Sequence, residues 1–173
     1  MPESAMIMDR DGTINIDTGH VHEIGDFKFI PGTFHALRRF QEKFSLFIYT
    51  NQASIGMGLY SEEEFKKVNN YMLDRFKAEG IEIKGVLYCP HKREDNCECR
   101  KPKTGLLEQL IHKYSIDRKS SYVIGDKTAD IKFGENAGMK TILVETGKAG
   151  RDREYDVKPM FIFKDVLSAS LAL

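Results

Sequence analysis

The stretch Ala5-Met6-Ile7-Met8-Asp9-Arg10-Asp11-Gly12-Thr13 is a short apolar run that breaks abruptly into two carboxylates and a glycine. An apolar run this short, stopped by charge, has the length of a buried strand and not of a helix. Gly12 supplies a backbone conformation closed to other residues, so the chain turns sharply where the strand ends. Read alone, the same pentapeptide also suits a strand-to-turn Asp followed by an Asx-turn.

Two further runs end in the same manner. Leu46 to Tyr49 stops at Thr50, and Tyr122 to Ile124 stops at Gly125 and Asp126. Between the first two, Phe34, Leu37, Phe40 and Phe44 recur at helical spacing, with Arg38, Arg39, Glu42 and Lys43 on the other face. Ser61 is set as the N-cap of the next helix, Glu64 completes a capping box, and Phe65, Val68, Met72 and Phe76 form its buried stripe. A strand at Gly85 to Tyr88 follows, then a helix carrying Leu106, Leu107, Leu110, Ile111 and Tyr114. A helix near Ala129 to Ala137, a strand at Thr141 to Val144 and a last strand at Phe161 to Phe163 close the alternation. Short apolar runs separated by helices predict a doubly wound, mainly parallel α/β sheet of Rossmann-like type. A chain of 173 residues is long enough for one core and short for two, so residues 1–173 are expected to form one domain.

In open parallel sheets, ligands bind at the carboxyl ends of strands, near the point where strand order reverses. Asp9, Thr50 and Asp126 each fall at such an end. Two neighbouring carboxylates can divide the labour: one that contacts a metal stays ionised and can act as nucleophile, while its neighbour, with a raised pKa, can donate and later accept a proton. Phosphate monoesters hydrolyse so slowly that a carboxylate pair alone cannot suffice, and two anions must be brought together against their repulsion. Thr50 offers a hydroxyl, Asn51 and Gln52 offer backbone N–H groups, and Arg100-Lys101-Pro102 offers two cations. Gly125-Asp126-Lys127, with Asp130 following, offers a carboxylate suited to Mg²⁺, a hard ion that prefers oxygen ligands. Taken singly, these are a turn, a solvated basic pair and a helix cap; their order and strand-end placement favour a site.

Cys89-Pro90-His91 and, five residues on, Cys97-Glu98-Cys99 present three thiolates and an imidazole, the ligand set of a closed tetrahedral Zn²⁺ site in a loop spanning residues 89–99. With four protein ligands no position remains for water, so this zinc is expected to be structural. The loop ends immediately before Arg100 and Lys101, which it is expected to position.

Together these four motifs resemble those of the haloacid dehalogenase superfamily of phosphatases over nearly the whole chain. Within it, Ile14 to Asp17, Gly19 and the Cys89 to Lys101 segment resemble the D-glycero-D-manno-heptose 1,7-bisphosphate phosphatases, and secondarily the histidinol-phosphatases. The resemblance implies that Asp9 is the nucleophile and Asp11 the acid and base. It implies Mg²⁺ held by Asp9, the main-chain carbonyl of Asp11, and Asp126, with Thr50 and Lys101 stabilising the phosphoryl group. Arg100, Lys127, the loop Asp17, Thr18, Gly19 and His20, and the segment Asn51, Gln52 and Ala53 would contact substrate, a small phosphorylated sugar. Asp130 would support the site from behind. The chain departs from the heptose-enzyme pattern at His20, Ser54, Met57 and Thr104.

Lys plus Arg total 26 and Asp plus Glu total 26, and the charges are scattered, which disfavours nucleic acid and anionic lipid as partners. No apolar run approaches a membrane span, and Met1 to Ile7 lacks the flank of a secretory signal, so a cytoplasmic protein is expected; with nothing resembling a coiled coil or a large exposed apolar face, a monomer is expected. The segment Ile14 to Gly32 is too short for a lid domain, which leaves an open site selected by short loops. Glu145 to Lys158, polar and glycine-bearing, either borders that site or merely connects strands. A silent zinc-stabilised module that binds a phosphorylated ligand is the alternative outside enzymes, and the intact pair Asp9 and Asp11 argues against it.

Overall fold

The computed structural model describes residues 3–173; Met1 and Pro2, part of the segment read for a secretory signal, lie outside the described residues. The strands are β1 (Ala5–Met8), β2 (Ser45–Asn51), β3 (Ile83–Cys89), β4 (Tyr122–Gly125), β5 (Lys140–Val144) and β6 (Phe161–Phe163). The helices are α1 (Thr33–Gln41), α2 (Ala53–Gly56), α3 (Glu62–Ala78), α4 (Gly105–Tyr114), α5 (Thr128–Asn136) and α6 (Val166–Ala172). The six strands lie in the order β3-β2-β1-β4-β5-β6 and pair in parallel throughout. The expected doubly wound sheet is therefore present, and Phe161–Phe163 does extend it at one edge.

Alternate residues of each strand feed opposite layers, as the pleat requires. Met6, Met8, Leu46, Ile48, Tyr122, Ile124, Ile142 and Val144 pack with the apolar stripes of α1, α3 and α6. Ala5, Ile7, Phe47, Tyr49 and Val123 pack with Leu107, Leu110 and Ile111 of α4 and Phe133 of α5. Both faces being covered explains why these strands read as continuous apolar runs. Ser61 caps α3 through a reciprocal pair with Glu64, as its sequence predicts.

Two boundaries differ from expectation. The spacing of Phe34 to Phe44 predicts one helix, but α1 ends at Gln41 and Phe44 lies in the turn before β2, still packed edge-on against Tyr122 with ring centroids 5.5 Å apart. The fourth apolar residue of the stripe is packed against the core from the turn, not from another helical turn. The C-terminal α6, capped by the Asp165 side chain accepting from Ser168 N–H, was not foreseen, because its small residues carry little periodic contrast.

Strand order reverses between β1 and β4, where Met8 pairs with Ile124 and the Asp9 N–H donates to the Ile124 carbonyl at 2.9 Å. The chain after β1 folds back as a narrow ribbon, with Ile30 N–H on the Ile14 carbonyl at 2.9 Å and Ile16 N–H on the Lys28 carbonyl at 2.8 Å. No separate lid is built there, as the segment's length predicts.

Candidate active site

The end of β1 delivers Asp9 to the reversal point, the end of β4 delivers Asp126, and α5 turns Asp130 toward both. Carboxylate oxygens of the three lie within 4.8 Å of one another. Lys101 reaches in from the segment after the cysteine loop and donates to Asp9 Oδ1 at 2.8 Å, Asp130 Oδ1 at 2.6 Å and the Tyr49 carbonyl at 2.8 Å. Burial would raise the Asp9 carboxyl, but the charges of Lys101 and Lys127 outweigh it and hold Asp9 below the usual carboxylate range. Asp9 is therefore an anion at neutral pH, as a nucleophile must be.

Asp126 is fully buried, and its Oδ2 accepts the Lys148 N–H at 2.6 Å. Its Oδ1 has no hydrogen-bond partner among the described residues. Burial, then the charges of Asp9 and Asp130, push its carboxyl up to about 8. Gly12 and Gly147 lie against this carboxylate, and a Cβ at either would overlap it. An orphaned oxygen beside the Asp9 carboxylate, in a cradle that glycines keep clear, fits a hard cation such as Mg²⁺. Both Asp130 oxygens are engaged, one by Lys101 and the other by the Lys127 N–H at 3.0 Å, so Asp130 steadies the two lysine-bearing segments.

Asp11 lines the same inner cleft as Asp9 and is held by a second set of donors. Arg10 grips both its oxygens, Asn15 Nδ2 donates to Oδ1 at 2.9 Å and Gln52 Nε2 to Oδ2 at 2.9 Å. Thr50, Asn51, Asp9, Asp11, Lys101 and Lys127 meet around a small inner cleft. It lies beside an outer cavity of about 300 Å³. The outer cavity is walled by Asp17, Gly19, His20, Gln52, Ala53, Arg100 and Lys127.

Two expected contacts are otherwise engaged. The Gln52 N–H, expected to face a ligand, donates to the Cys89 carbonyl at 2.7 Å, because β2 continues its ladder past Thr50. Asn51 brackets the Lys101 backbone, accepting from its N–H at 3.0 Å and donating to its carbonyl at 3.3 Å. Thr18 lines a neighbouring cleft with Gly147 and Lys148, outside the main cavity. His20, which had no partner visible in the sequence, meets Ser54 Oγ at 2.6 Å, so two of the four departures from the heptose-enzyme pattern touch each other.

The segment after β5 borders the site. Thr146 Oγ1 donates to the Gly12 carbonyl at 2.7 Å, and Asp152 accepts from the Thr128 N–H at 3.0 Å. Asp152 and Glu154 join the cavity wall, as does Tyr60, whose hydroxyl donates to Gln52 Oε1. None of the three was named from sequence. Asp152 and Glu154 sit in a polar loop whose fold no periodicity announces, and only the glycines Gly147 and Gly150 hinted at a backbone bent toward something.

The cysteine loop brings its four ligand atoms together. The sulfurs lie 3.0 to 3.5 Å apart and His91 Nδ1 lies 3.1 Å from Cys99 Sγ and 3.6 Å from Cys89 Sγ, spacings near those of a tetrahedral shell. Burial pushes the Cys89 thiol up, so a cation is needed to hold it as thiolate.

A parallel sheet of this order, with carboxylates closing β1 and β4 and a lysine between them, defines the haloacid dehalogenase-like hydrolases. The HAD-hydrolase-like family model matches residues 98–169. The chain is 44% identical to the D-glycero-beta-D-manno-heptose-1,7-bisphosphate 7-phosphatase of Haemophilus ducreyi over 160 residues, 86% of this chain and 87% of that protein. It is 41% identical to the D-glycero-alpha-D-manno-heptose-1,7-bisphosphate 7-phosphatase of Campylobacter jejuni, over 83% of each chain. The fold is shared with the D,D-heptose 1,7-bisphosphate phosphatase of B. bronchiseptica, solved with magnesium and phosphate, at a TM-score of 0.90 and 24% identity, covering 98% of this chain and 97% of that one. The chain belongs to the heptose-1,7-bisphosphate 7-phosphatase family of these hydrolases.

Proposed function

We propose that the chain is a magnesium-dependent phosphatase that removes the 7-phosphate of a D-glycero-D-manno-heptose 1,7-bisphosphate through a phosphorylated Asp9. The observation that carries this reading is the Asp9 carboxylate at the end of β1, with Lys101 on one oxygen and Asp126 beside it. Mg²⁺, held by Asp9, the Asp11 carbonyl and Asp126, would supply the positive charge that lets an anionic nucleophile approach an anionic phosphoryl group.

The remaining work falls to side chains. Asp9 attacks phosphorus, while Lys101 and the Thr50 hydroxyl stabilise charge on the phosphoryl oxygens. Asp11 protonates the leaving sugar oxygen and later takes a proton from the water that cleaves the aspartyl phosphate. Arg100 and Lys127 suit the second phosphate of a bisphosphate, and the carboxylates Asp17, Asp152 and Glu154 in the cavity wall suit sugar hydroxyls. Zn²⁺ in the cysteine loop is structural in this reading.

Phosphate release from heptose 1,7-bisphosphate, fructose 1,6-bisphosphate and histidinol phosphate, measured side by side, tests the substrate; turnover confined to histidinol phosphate would overturn the sugar assignment. Asp9→Asn is expected to bind substrate and release no phosphate above background. Substantial residual turnover by that variant would sink the covalent route.

A further inference from the structure

Arg10 heads the fully buried side chains by size, and its guanidinium, at 0% exposure, sits one residue from the proposed nucleophile without touching it. A buried guanidinium demands partners, and nearly all that Arg10 finds lie on Asp11. Nε is 3.2 Å and Nη2 3.0 Å from each Asp11 oxygen, so the planar fork spans the carboxylate. The rings of Phe27 and Phe65 lie 5.8 and 5.3 Å from the guanidinium carbon and fix its plane. Nη2 also donates to the Val21 carbonyl at 3.3 Å, tying the fork to the loop that walls the cavity. Asn15 and Gln52 hold the two oxygens from other sides, and Gln52 is itself braced by Thr50 Oγ1 at 2.9 Å and by Tyr60.

We propose that Arg10 is a positioning residue: with the amides of Asn15 and Gln52 it clamps the Asp11 side chain in the orientation from which a proton passes to the leaving oxygen. The inference rests on the phosphatase reading above and deepens it. In the first step an Asp9 oxygen bonds to phosphorus and the phosphorus–oxygen bond to the sugar breaks. That electron pair goes to the sugar oxygen, which takes the proton from Asp11. In the second step water bonds to phosphorus, gives its proton to Asp11, and the bond to Asp9 breaks, returning the Asp9 carboxylate and inorganic phosphate. Proton transfer needs a donor about 2.6–3.2 Å from its acceptor, so an Asp11 free to swing would lose this contribution while Asp9 still attacked.

A leaving group that departs without protonation separates this role from mere support of the fold. The specificity constant kcat/KM, which reports formation of the aspartyl phosphate, is measured for Arg10→Lys, Arg10→Gln and Asn15→Ala on a sugar bisphosphate and on p-nitrophenyl phosphate. Loss of the clamp is expected to lower the value for the sugar phosphate about 100-fold, the size of a general-acid contribution, and that for p-nitrophenyl phosphate by no more than about threefold. Arg10→Lys, which keeps charge without the fork, is expected to recover part of the loss. Equal losses on both substrates in folded variants would overturn the clamp. If thermal melts show the Arg10 variants unfolded, Asn15→Ala decides by the same criterion. A wild-type protein inactive on both substrates would instead overturn the phosphatase reading itself.

Discussion

Asp126 occupies a position that is poor for stability and suited to binding a cation. Its side chain is buried, one oxygen is unpartnered, and Asp9 and Asp130 repel its charge. Removing such a charge relieves the fold, since an uncompensated buried carboxylate costs several kcal/mol. Asp126→Asn is therefore expected to melt about 3 °C or more above the metal-free wild type at pH 8, to gain nothing from added Mg²⁺, and to lose turnover. A variant melting lower than wild type without metal would show that the carboxylate supports the fold, contrary to this account. Lys101 is the opposite case. Its ammonium balances Asp9 and Asp130, so Lys101→Met, leaving two buried anions uncompensated, is expected to cost about 3–5 kcal/mol in urea denaturation as well as activity. Asp9 and Asp126 were legible because strand ends announce themselves where apolar runs stop, and Lys101 because it forms a basic pair with Arg100 just before Pro102. Arg10 was not, since a residue between two aspartates reads as solvated and nothing in its neighbours declares that Phe27 and Phe65 close over it.

The cysteine loop shows how an element distant from the chemistry can govern it. Tyr49 in β2 donates its hydroxyl to the Cys99 carbonyl at 2.7 Å, and its own carbonyl accepts Lys101 Nζ at 2.8 Å. Asn51, two residues on, brackets the Lys101 backbone. The loop's last cysteine and Lys101 are thus pinned to one strand, and disorder in the loop would be passed to Lys101. Chelation that strips zinc, followed by restored Mg²⁺, is expected to leave most activity lost; full activity in a zinc-free sample would refute the coupling. Tyr49→Phe is a gentler version, expected to retain zinc by elemental analysis while lowering kcat about tenfold, the order of loss that sub-ångström misplacement brings. That Cys89, His91, Cys97 and Cys99 would form a group able to hold a metal was legible from spacing and residue type alone. Their bond to β2 was not, because Tyr49 reads as one more core aromatic until the loop is seen to lie over it.

At the scale of the molecule, an even balance of charge conceals a site in which charge is concentrated. The strand order places both carboxylate-bearing strands, β1 and β4, side by side at the reversal; three apolar runs ending in polar residues announced the strand ends but not which strands are neighbours. What the sequence could not convey is how far their burial alters their acidity. Asp126 moves from an ordinary value of 3.8 up to about 8, burial first and the neighbouring carboxylates second. A carboxyl raised on folding stabilises the native state most below its unfolded pKa, and that contribution is lost as pH rises toward about 8. The same proton competes with a cation for the carboxylate. Mg²⁺ affinity should therefore climb from acid pH to about 8, by up to tenfold per pH unit or roughly 1.4 kcal/mol, and level off above it. Isothermal titration of the protein with MgCl₂ at pH 6 and pH 8 is expected to give dissociation constants differing by about 10- to 100-fold, with proton release at the lower pH. Asp126→Asn should abolish the trend together with most of the binding. Equal wild-type affinities at the two pH values would mean either that the Asp126 carboxylate is already ionised at pH 6 or that the cation is held elsewhere than between β1 and β4, and either outcome overturns this account.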